Sequence, residues 1–143
     1  MYRFGAVLIA LAMAVIGFAW YAAEAGQGDK KVDSRIFELR TYYAASGKMA
    51  ALHARFRDHT CKLFEKHGMT IVGFWSPSDP AEAEKKLIYV LAFPNKQAAD
   101  KSWKAFREDP EWKRVREESE KDGKLVDKVE SVYMHPTDYS PMK

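Results

Sequence analysis

Three side chains near residue 40 have the types and spacing of a binding or reaction site. Glu38, Arg40 and Tyr42 occupy alternate positions in the segment 35–44, so on a strand they project from one face. Arginine binds carboxylates through paired N–H donors, and a tyrosine hydroxyl donates a hydrogen bond. The pattern indicates a polar patch in which Arg40 holds an anionic or carbonyl group and Tyr42 donates to it. The alternative is a buried ion-pair network that fixes the register of a dimer.

Two of the histidines fall on the apolar stripe of a predicted helix. His53 is expected between that helix and the sheet, where a ligand cavity can form, so it is a candidate binding residue. His67 precedes Gly68 at the helix end, where an imidazole can satisfy the last carbonyl groups. The two residues are about 21 Å apart at the helical rise and cannot share a metal ion. We therefore expect no metal site and no resident cofactor.

Aromatic residues are the second group of side chains that can line a ligand cavity. The candidates for its lining are Trp75, Tyr89, Trp103 and Trp112. Trp103 lies three residues before Phe106 on one helical face, so ordinary core packing is the alternative for this pair. Trp112 follows Pro110 closely and can form the lip of a pocket. Cys61 is the only cysteine of the sequence, which excludes an internal disulfide, and no base is evident beside it.

The remaining composition excludes several classes of protein. Motifs of nucleotide-binding loops, zinc proteases, redox dithiols and serine hydrolases are absent from the sequence. The 23 basic and 20 acidic residues are interspersed, with a net charge of +3, which is typical of a solvated surface and not of a nucleic-acid-binding stripe. We expect no nucleic-acid partner.

The first 25 residues have the pattern of a secretory signal peptide. Arg3 precedes an uncharged run over residues 4–23, and Ala23-Glu24-Ala25 fits the site that a signal peptidase cleaves. Cleavage near Ala25 predicts a periplasmic or secreted protein. The run is also long enough to span a bilayer, so a membrane tether is the alternative.

Behind a polar linker at 26–34, the residue patterns predict one domain over 35–141. Alternating or apolar runs predict strands at 35–44, 69–76, 87–93 and 125–134, and periodic segments predict helices at 46–67, 95–106 and 109–122. This β-α-β-β-α-(α)-β order is that of ferredoxin-like folds. The predicted class is α+β, with a four-stranded antiparallel sheet and its helices on one face.

Four segments carry a resemblance to a known family. They are Arg35-Ile-Phe-Glu-Leu-Arg-Thr-Tyr42, Phe64-Glu-Lys-His67-Gly68 with Gly73-Phe-Trp75, Trp103-Lys-Ala-Phe106-Arg-Glu-Asp109-Pro110-Glu-Trp112, and Pro136-Thr137-Asp138-Tyr139-Ser140-Pro141. In this order they resemble NIPSNAP domains. The resemblance implies a dimeric α+β barrel and hence a homodimer. Family members are linked to mitochondria, vesicle traffic and protein partners. The family offers no agreed catalytic residues, and this sequence lacks a mitochondrial-type targeting segment.

Three functions remain open at this point. The first is a module without its own chemistry that binds a small lipophilic ligand or a protein partner. The second is a cofactor-independent oxygenase or isomerase acting on a small aromatic or lipophilic substrate, an analogy at the level of the fold. The third and weakest is haem binding through His53.

Overall fold

The computed structural model describes residues 35–143, so the predicted signal peptide or anchor and the linker lie outside the described residues. The strands are β1 (Ile36–Ala44), β2 (Thr70–Trp75), β3 (Lys86–Phe93) and β4 (Val126–Met134), and the helices are α1 (Met49–Arg55), α2 (Cys61–Lys66), α3 (Pro80–Ala83), α4 (Lys96–Glu108) and α5 (Pro110–Ser119). A π-helical turn, Phe56–Thr60, joins α1 to α2. Within this part of the chain, no helix is both long and apolar enough to cross a membrane.

The four strands form one antiparallel sheet in the order β2-β3-β1-β4. The first and third strands along the chain are therefore central, as in ferredoxin-like folds, and the predicted α+β class is confirmed. Each observed strand differs from its predicted bounds by at most one residue at either end. The helices cover one face of the sheet, and β4 is an edge strand whose residues are mostly exposed.

The core lies between the sheet and the helices. Leu87, Tyr89, Leu91 and Phe93 alternate along β3 on the helix-facing side, and each is at most 2% exposed. The long first helical segment and α4 contribute the opposing apolar side chains, including Leu52, Phe64 and Trp103. Because β3 is central and one of its faces is fully covered, its sequence is apolar almost throughout.

The first helical segment departs from the regular helix that its periodicity predicts. The N–H of Cys61 bonds to the carbonyl oxygen of Phe56, five residues back, and the Thr60 hydroxyl donates to the Arg55 carbonyl oxygen at 3.2 Å. A π-helical turn is wider than an α-helical one and shifts the phase of the residues around it. Arg55 and Phe56, where α1 meets this turn, are both buried, at 6% and 5% exposure, because they follow Leu52 by three and four residues on one helical face.

Asp109 joins the end of α2 to the start of α5. As the cap of α5 it accepts a hydrogen bond from the Glu111 N–H at 2.7 Å, the role its position before Pro110 predicts. Its other carboxylate oxygen lies 2.8 Å from Lys66 Nζ and 2.7 Å from His67 Nε2. The hydrogen bond from Lys66, aided by those of His67 and Glu111, holds the Asp109 pKa below its usual range although burial opposes the shift. His67 therefore has a structural role at the helix junction, but its ring pairs with the Asp109 carboxylate and not with the helix-end carbonyl groups that its position had led us to expect.

Candidate functional site

The polar face of β1 is turned toward the helices of its own chain. Glu38 is completely buried there, and its carboxylate accepts a hydrogen bond from the Trp103 indole N–H of α4 at 2.6 Å. The interpretation that this face fixes the register of a dimer is therefore wrong, since the ion pair is completed within one chain. A buried carboxylate is costly unless it accepts hydrogen bonds, and the Trp103 N–H of α4 donates one to Glu38. Residue alternation along β1 does not reveal this donor.

Glu38 holds Arg40 in place. The Arg40 Nη1 and the Ser131 hydroxyl of β4 both donate to Glu38 Oε1 at 2.6 Å, in addition to the Trp103 N–H at Oε2. The guanidinium lies 4.3 Å from the centre of the Trp103 ring, in a cation–π arrangement. Burial lowers the pKa of Arg40, but its interactions with Tyr89, Tyr42 and Glu38 outweigh this and raise the pKa overall. Arg40 therefore stays cationic.

A second arginine, Arg55, is buried and faces the same region from the helix layer. Arg55 Nη1 donates to Glu120 at 2.9 Å and to the Ser119 hydroxyl at 3.3 Å, and its guanidinium lies 5.3 Å from the centre of the Trp112 ring. Sequence reasoning missed this residue because it counted Lys and Arg as the solvated side of the helix. The sequence does indicate that Arg55 is buried, because Arg55 follows the apolar Leu52 by three residues, a spacing that keeps both on one helical face.

These side chains border one cleft between α4–α5 and the strands β1 and β4. Its volume is about 340 Å³, and it is lined by Arg40, Tyr42, Arg55, Trp103, Phe106, Arg107, Trp112, Arg116, Glu120, Lys124, Val126, Asp127, Lys128 and Val129. We call it the arginine–tryptophan cleft. Phe106 and Trp112 form its aromatic side, with ring centres 4.5 Å apart and ring planes inclined by 34°. Six of the lining residues are cationic and two are acidic, so the cleft favours anions.

The other predicted site residues lie elsewhere. His53 and Trp75 line a separate cleft of about 210 Å³ at the β2 side, together with Phe56, Arg57, Cys61, Phe74, Ser76 and Leu87. The structure thus brings Arg40, Tyr42, Trp103 and Trp112 together and separates them from His53 and Trp75. No group of acidic, histidine or cysteine side chains that could hold a metal ion occurs among residues 35–143.

Tyr89 lies inside the aromatic core that separates the two clefts. Its ring is 5.3 Å from that of Tyr42 and 5.4 Å from those of Phe56 and Phe74. Its hydroxyl is buried and has no hydrogen-bond partner within the described residues. Burial is the main cause that raises the pKa of Tyr89 well above its usual value, while Arg40 acts in the opposite direction. The hydroxyl is therefore available as a donor and not as a base.

The chain is thus a small ferredoxin-like domain with an aromatic, cationic cleft. The NIPSNAP family model matches residues 37–141, and the chain belongs to the NIPSNAP family. No curated protein is similar enough in sequence to match the chain.

Solved structures of bacterial proteins share the fold. A NIPSNAP-family protein of unknown function from Agrobacterium tumefaciens is 20% identical, with a TM-score of 0.66 over 78% of this chain and 96% of that one. An uncharacterised NIPSNAP-like domain protein from Burkholderia xenovorans is 12% identical, with a TM-score of 0.65 over 76% and 90%. SnoaB, a cofactor-independent oxygenase from Streptomyces nogalater, is 9% identical, with a TM-score of 0.50 over 76% and 98%. At these identities the likeness concerns the fold alone.

Proposed function

We propose that the chain is a binding module for a small aromatic or lipophilic anion, held in the arginine–tryptophan cleft. The observation that carries the proposal is the pair of arginine–tryptophan stacks, Arg40 with Trp103 and Arg55 with Trp112, on the border of one cleft. Tryptophan rings supply apolar surface for an aromatic ligand, and arginine is the side chain best suited to carboxylates.

Charge at the cleft supports an anionic ligand. Four exposed cations, Arg107, Arg116, Lys124 and Lys128, stand on its border in addition to the half-buried Arg40 and the buried Arg55. Against these six cations stand four acids: Glu120 and Asp127 of the lining, and Glu38 and Glu130, which pair with lining cations. The surplus of two positive charges draws anions toward the opening and repels cations.

The size of the cleft limits the ligand. A volume of about 340 Å³ lies at the lower end of the roughly 300–1,000 Å³ range of small-molecule sites. A ligand of one or two rings with one acidic group fits this space. Larger polycyclic compounds would require the helices α4 and α5 to move.

Titration calorimetry with small aromatic acids, such as 2-naphthoate, tests the proposal. Arg40→Gln and Arg55→Gln each remove one guanidinium, and we expect each to weaken binding by about tenfold or more, the scale of one charge-assisted hydrogen bond. Arg57→Gln is the matched control, because Arg57 is exposed and lines the other cleft. Circular dichroism checks that each variant is folded. Equal affinities for all three variants would refute a role for the cleft.

Catalysis on such a ligand is a second candidate. SnoaB supports it as an oxygenase that shares the fold, and the buried Tyr89 hydroxyl beside Tyr42 is a donor that could bind a carbonyl oxygen. Oxygen uptake with hydroxylated aromatic compounds, lost in Tyr42→Phe, would establish an enzyme. His53 lines the smaller cleft, so it would not serve as the base in such a reaction. Absence of a Soret band after haem addition would remove haem binding through His53.

We further propose a homodimer formed through the face of the sheet that the helices leave uncovered. Val132 and Trp75 are apolar residues of this face and are 54% and 50% exposed. The central strands place Leu39 and Val90 beside each other between them.

We also propose that the chain is exported across the cytoplasmic membrane. This proposal rests on the signal-peptide pattern of residues 1–25 and is tested by sequencing the N-terminus of the mature protein.

A further inference from the structure

The geometry points to the acidic group of the ligand entering the cleft first and being bound at its inner end by Arg40, Arg55 and Tyr89. This inference rests on the proposed binding function and names the chemical group that the site selects. It starts from three buried polar atoms that have no hydrogen-bond partner: Arg40 Nε, Arg55 Nε and Tyr89 Oη.

All three atoms carry hydrogen and act as donors here. An arginine Nε has no acceptor capacity, and the raised pKa of Tyr89 keeps its hydroxyl protonated. Most buried polar groups of folded proteins are paired, so unpaired groups require an explanation such as a missing ligand or water. A group that satisfies donors alone must be an acceptor, and a carboxylate is the strongest acceptor available.

The three donors belong to one neighbourhood. Arg40 and Tyr89 are opposite each other on β1 and β3, and residues paired in this way share a face of the sheet. Arg55 borders the same cleft as Arg40, and Tyr42 stands between the cleft and the Tyr89 ring. Arg40 and Arg55 thus border one cleft, and Tyr89 neighbours Arg40 on the sheet, so we infer that one acceptor at the inner end of the cleft serves more than one of these donors.

The buried or half-buried acidic side chains beside the cleft already accept hydrogen bonds from other donors. Glu38 accepts from Arg40 Nη1, Ser131 and Trp103, and Glu120 pairs with Arg55 Nη1 and Arg116. The acceptor must therefore come from outside the described chain.

Binding requires a local rearrangement. Since the unpaired nitrogen atoms are shielded from solvent, the guanidinium groups must turn to meet the incoming acid. Arg40 then leaves the face of the Trp103 ring, and the ring of the ligand takes its place on the indole. The guanidinium turns without leaving its ion pair with Glu38, so that a stacked cation is exchanged for a stacked aromatic ring and the buried carboxylate stays paired.

A matched series of ligands tests the inference on the full protein. Titration calorimetry compares 2-naphthoate with 2-naphthamide and methyl 2-naphthoate, which have the same rings but no charge. We expect the acid to bind about 10- to 100-fold more tightly than either neutral analogue, the range that one or two charge-assisted hydrogen bonds produce. Tyr89→Phe should weaken binding of the acid about tenfold and leave the weaker binding of the amide unchanged.

Tyr139→Phe is the control, because Tyr139 is exposed and does not line the cleft. Arg55→Lys keeps the charge but removes Nε, and should also weaken binding of the acid selectively, which covers the case that Tyr89→Phe misfolds. If acid and amide bind equally well, the inference and the preference for an anion are both overturned, and only the binding of an aromatic compound stands. If no member of the series binds, the inference and the proposed binding function are both overturned. Unchanged affinity for the acid in both Tyr89→Phe and Arg55→Lys also overturns it, and the donors are then satisfied by water.

Discussion

Replacement of Glu38 by glutamine should be among the most damaging single changes in this domain. Glu38 is completely buried and accepts hydrogen bonds from Arg40, Ser131 and Trp103, each at 2.6 Å. A glutamine fills the same space, but one of its two terminal atoms is an NH₂ group. If its oxygen faces Arg40, the NH₂ faces the Trp103 N–H, and in the opposite orientation it faces the guanidinium. A donor meets a donor in either case.

The magnitude follows from these contacts. One charge-assisted hydrogen bond is worth about 1.5–3 kcal/mol, and a buried donor left without an acceptor costs about 1–3 kcal/mol. Breaking a buried ion pair by removing one partner costs about 3–5 kcal/mol. The Arg40 side chain is 17% exposed and can regain some hydration, so we expect the lower end, about 3 kcal/mol. For a domain of this size this corresponds to a fall in melting temperature on the order of 10–20 °C.

Urea denaturation followed by circular dichroism measures this change, and a double-mutant cycle identifies its cause. In Glu38→Gln/Arg40→Met no unpaired charge is buried, so the double variant should be more stable than the sum of the two single losses predicts. The expected coupling is about 1–3 kcal/mol. A loss below about 1 kcal/mol for Glu38→Gln, or simple additivity in the cycle, would refute the view that this carboxylate supports Arg40.

Three further changes test other parts of the structure. Asp109→Asn should destabilise the protein at pH 7 on the order of 1–2 kcal/mol. Since the pKa of Asp109 is lowered by folding, chiefly through Lys66, its contribution is complete above the unfolded value of about 3.9 and is lost as pH falls below it. The difference between the denaturant midpoints of wild type and variant should therefore be constant from pH 7 to about pH 5 and become smaller between about pH 4 and pH 3. Thr60→Val removes the hydroxyl that bonds to the Arg55 carbonyl and should cost about 1 kcal/mol in urea unfolding. Val132→Glu places a charge on the uncovered face of the sheet and should convert the proposed dimer to a monomer in size-exclusion chromatography.

Each of these changes has a matched control. Asp100→Asn removes a carboxylate from an exposed pair with Lys96 and should change stability by less than about 0.5 kcal/mol. Thr60→Ser keeps the hydroxyl, so it should retain most of the stability that Thr60→Val loses. Val129→Glu alters an exposed valine on the other face of β4 and should leave the oligomeric state unchanged. A constant difference between wild type and Asp109→Asn across the pH range would contradict the ionic role of Asp109. A monomeric wild-type protein at micromolar concentration would contradict the proposed dimer.

The elements of the fold could be predicted because their signals are local. Period-two alternation marks β1, and glycine at residue 68 ends the first helical segment with a φ of +75°. Asp109 and Pro110 begin α5 as cap and first helical residue. Each signal needs only neighbours in the chain, and the β-α-β-β-α-β order then leaves few ways to arrange four strands. The order of residues therefore led directly to the ferredoxin-like class and the NIPSNAP resemblance.

Partners distant in sequence could not be predicted in the same way. Alternation showed that Glu38, Arg40 and Tyr42 share a face, but it did not show which side of the sheet the helices cover. That choice depends on the packing of α4, which supplies the Trp103 N–H and so makes the buried charge acceptable. The interpretation as a dimer contact was wrong for this reason.

The sequence by itself thus determined the class of fold, the helix caps, and the residue types available for a binding site. Only the tertiary structure decided that Arg40, Tyr42, Trp103 and Trp112 meet in one cleft while His53 and Trp75 line another. It also brought Arg55 to the cleft, where Glu120 and Trp112 are its partners. The physical reason is that these partners lie far from Arg55 in the chain, so only the packing of α5 against the first helical segment brings them together, and residue periodicity does not record that packing.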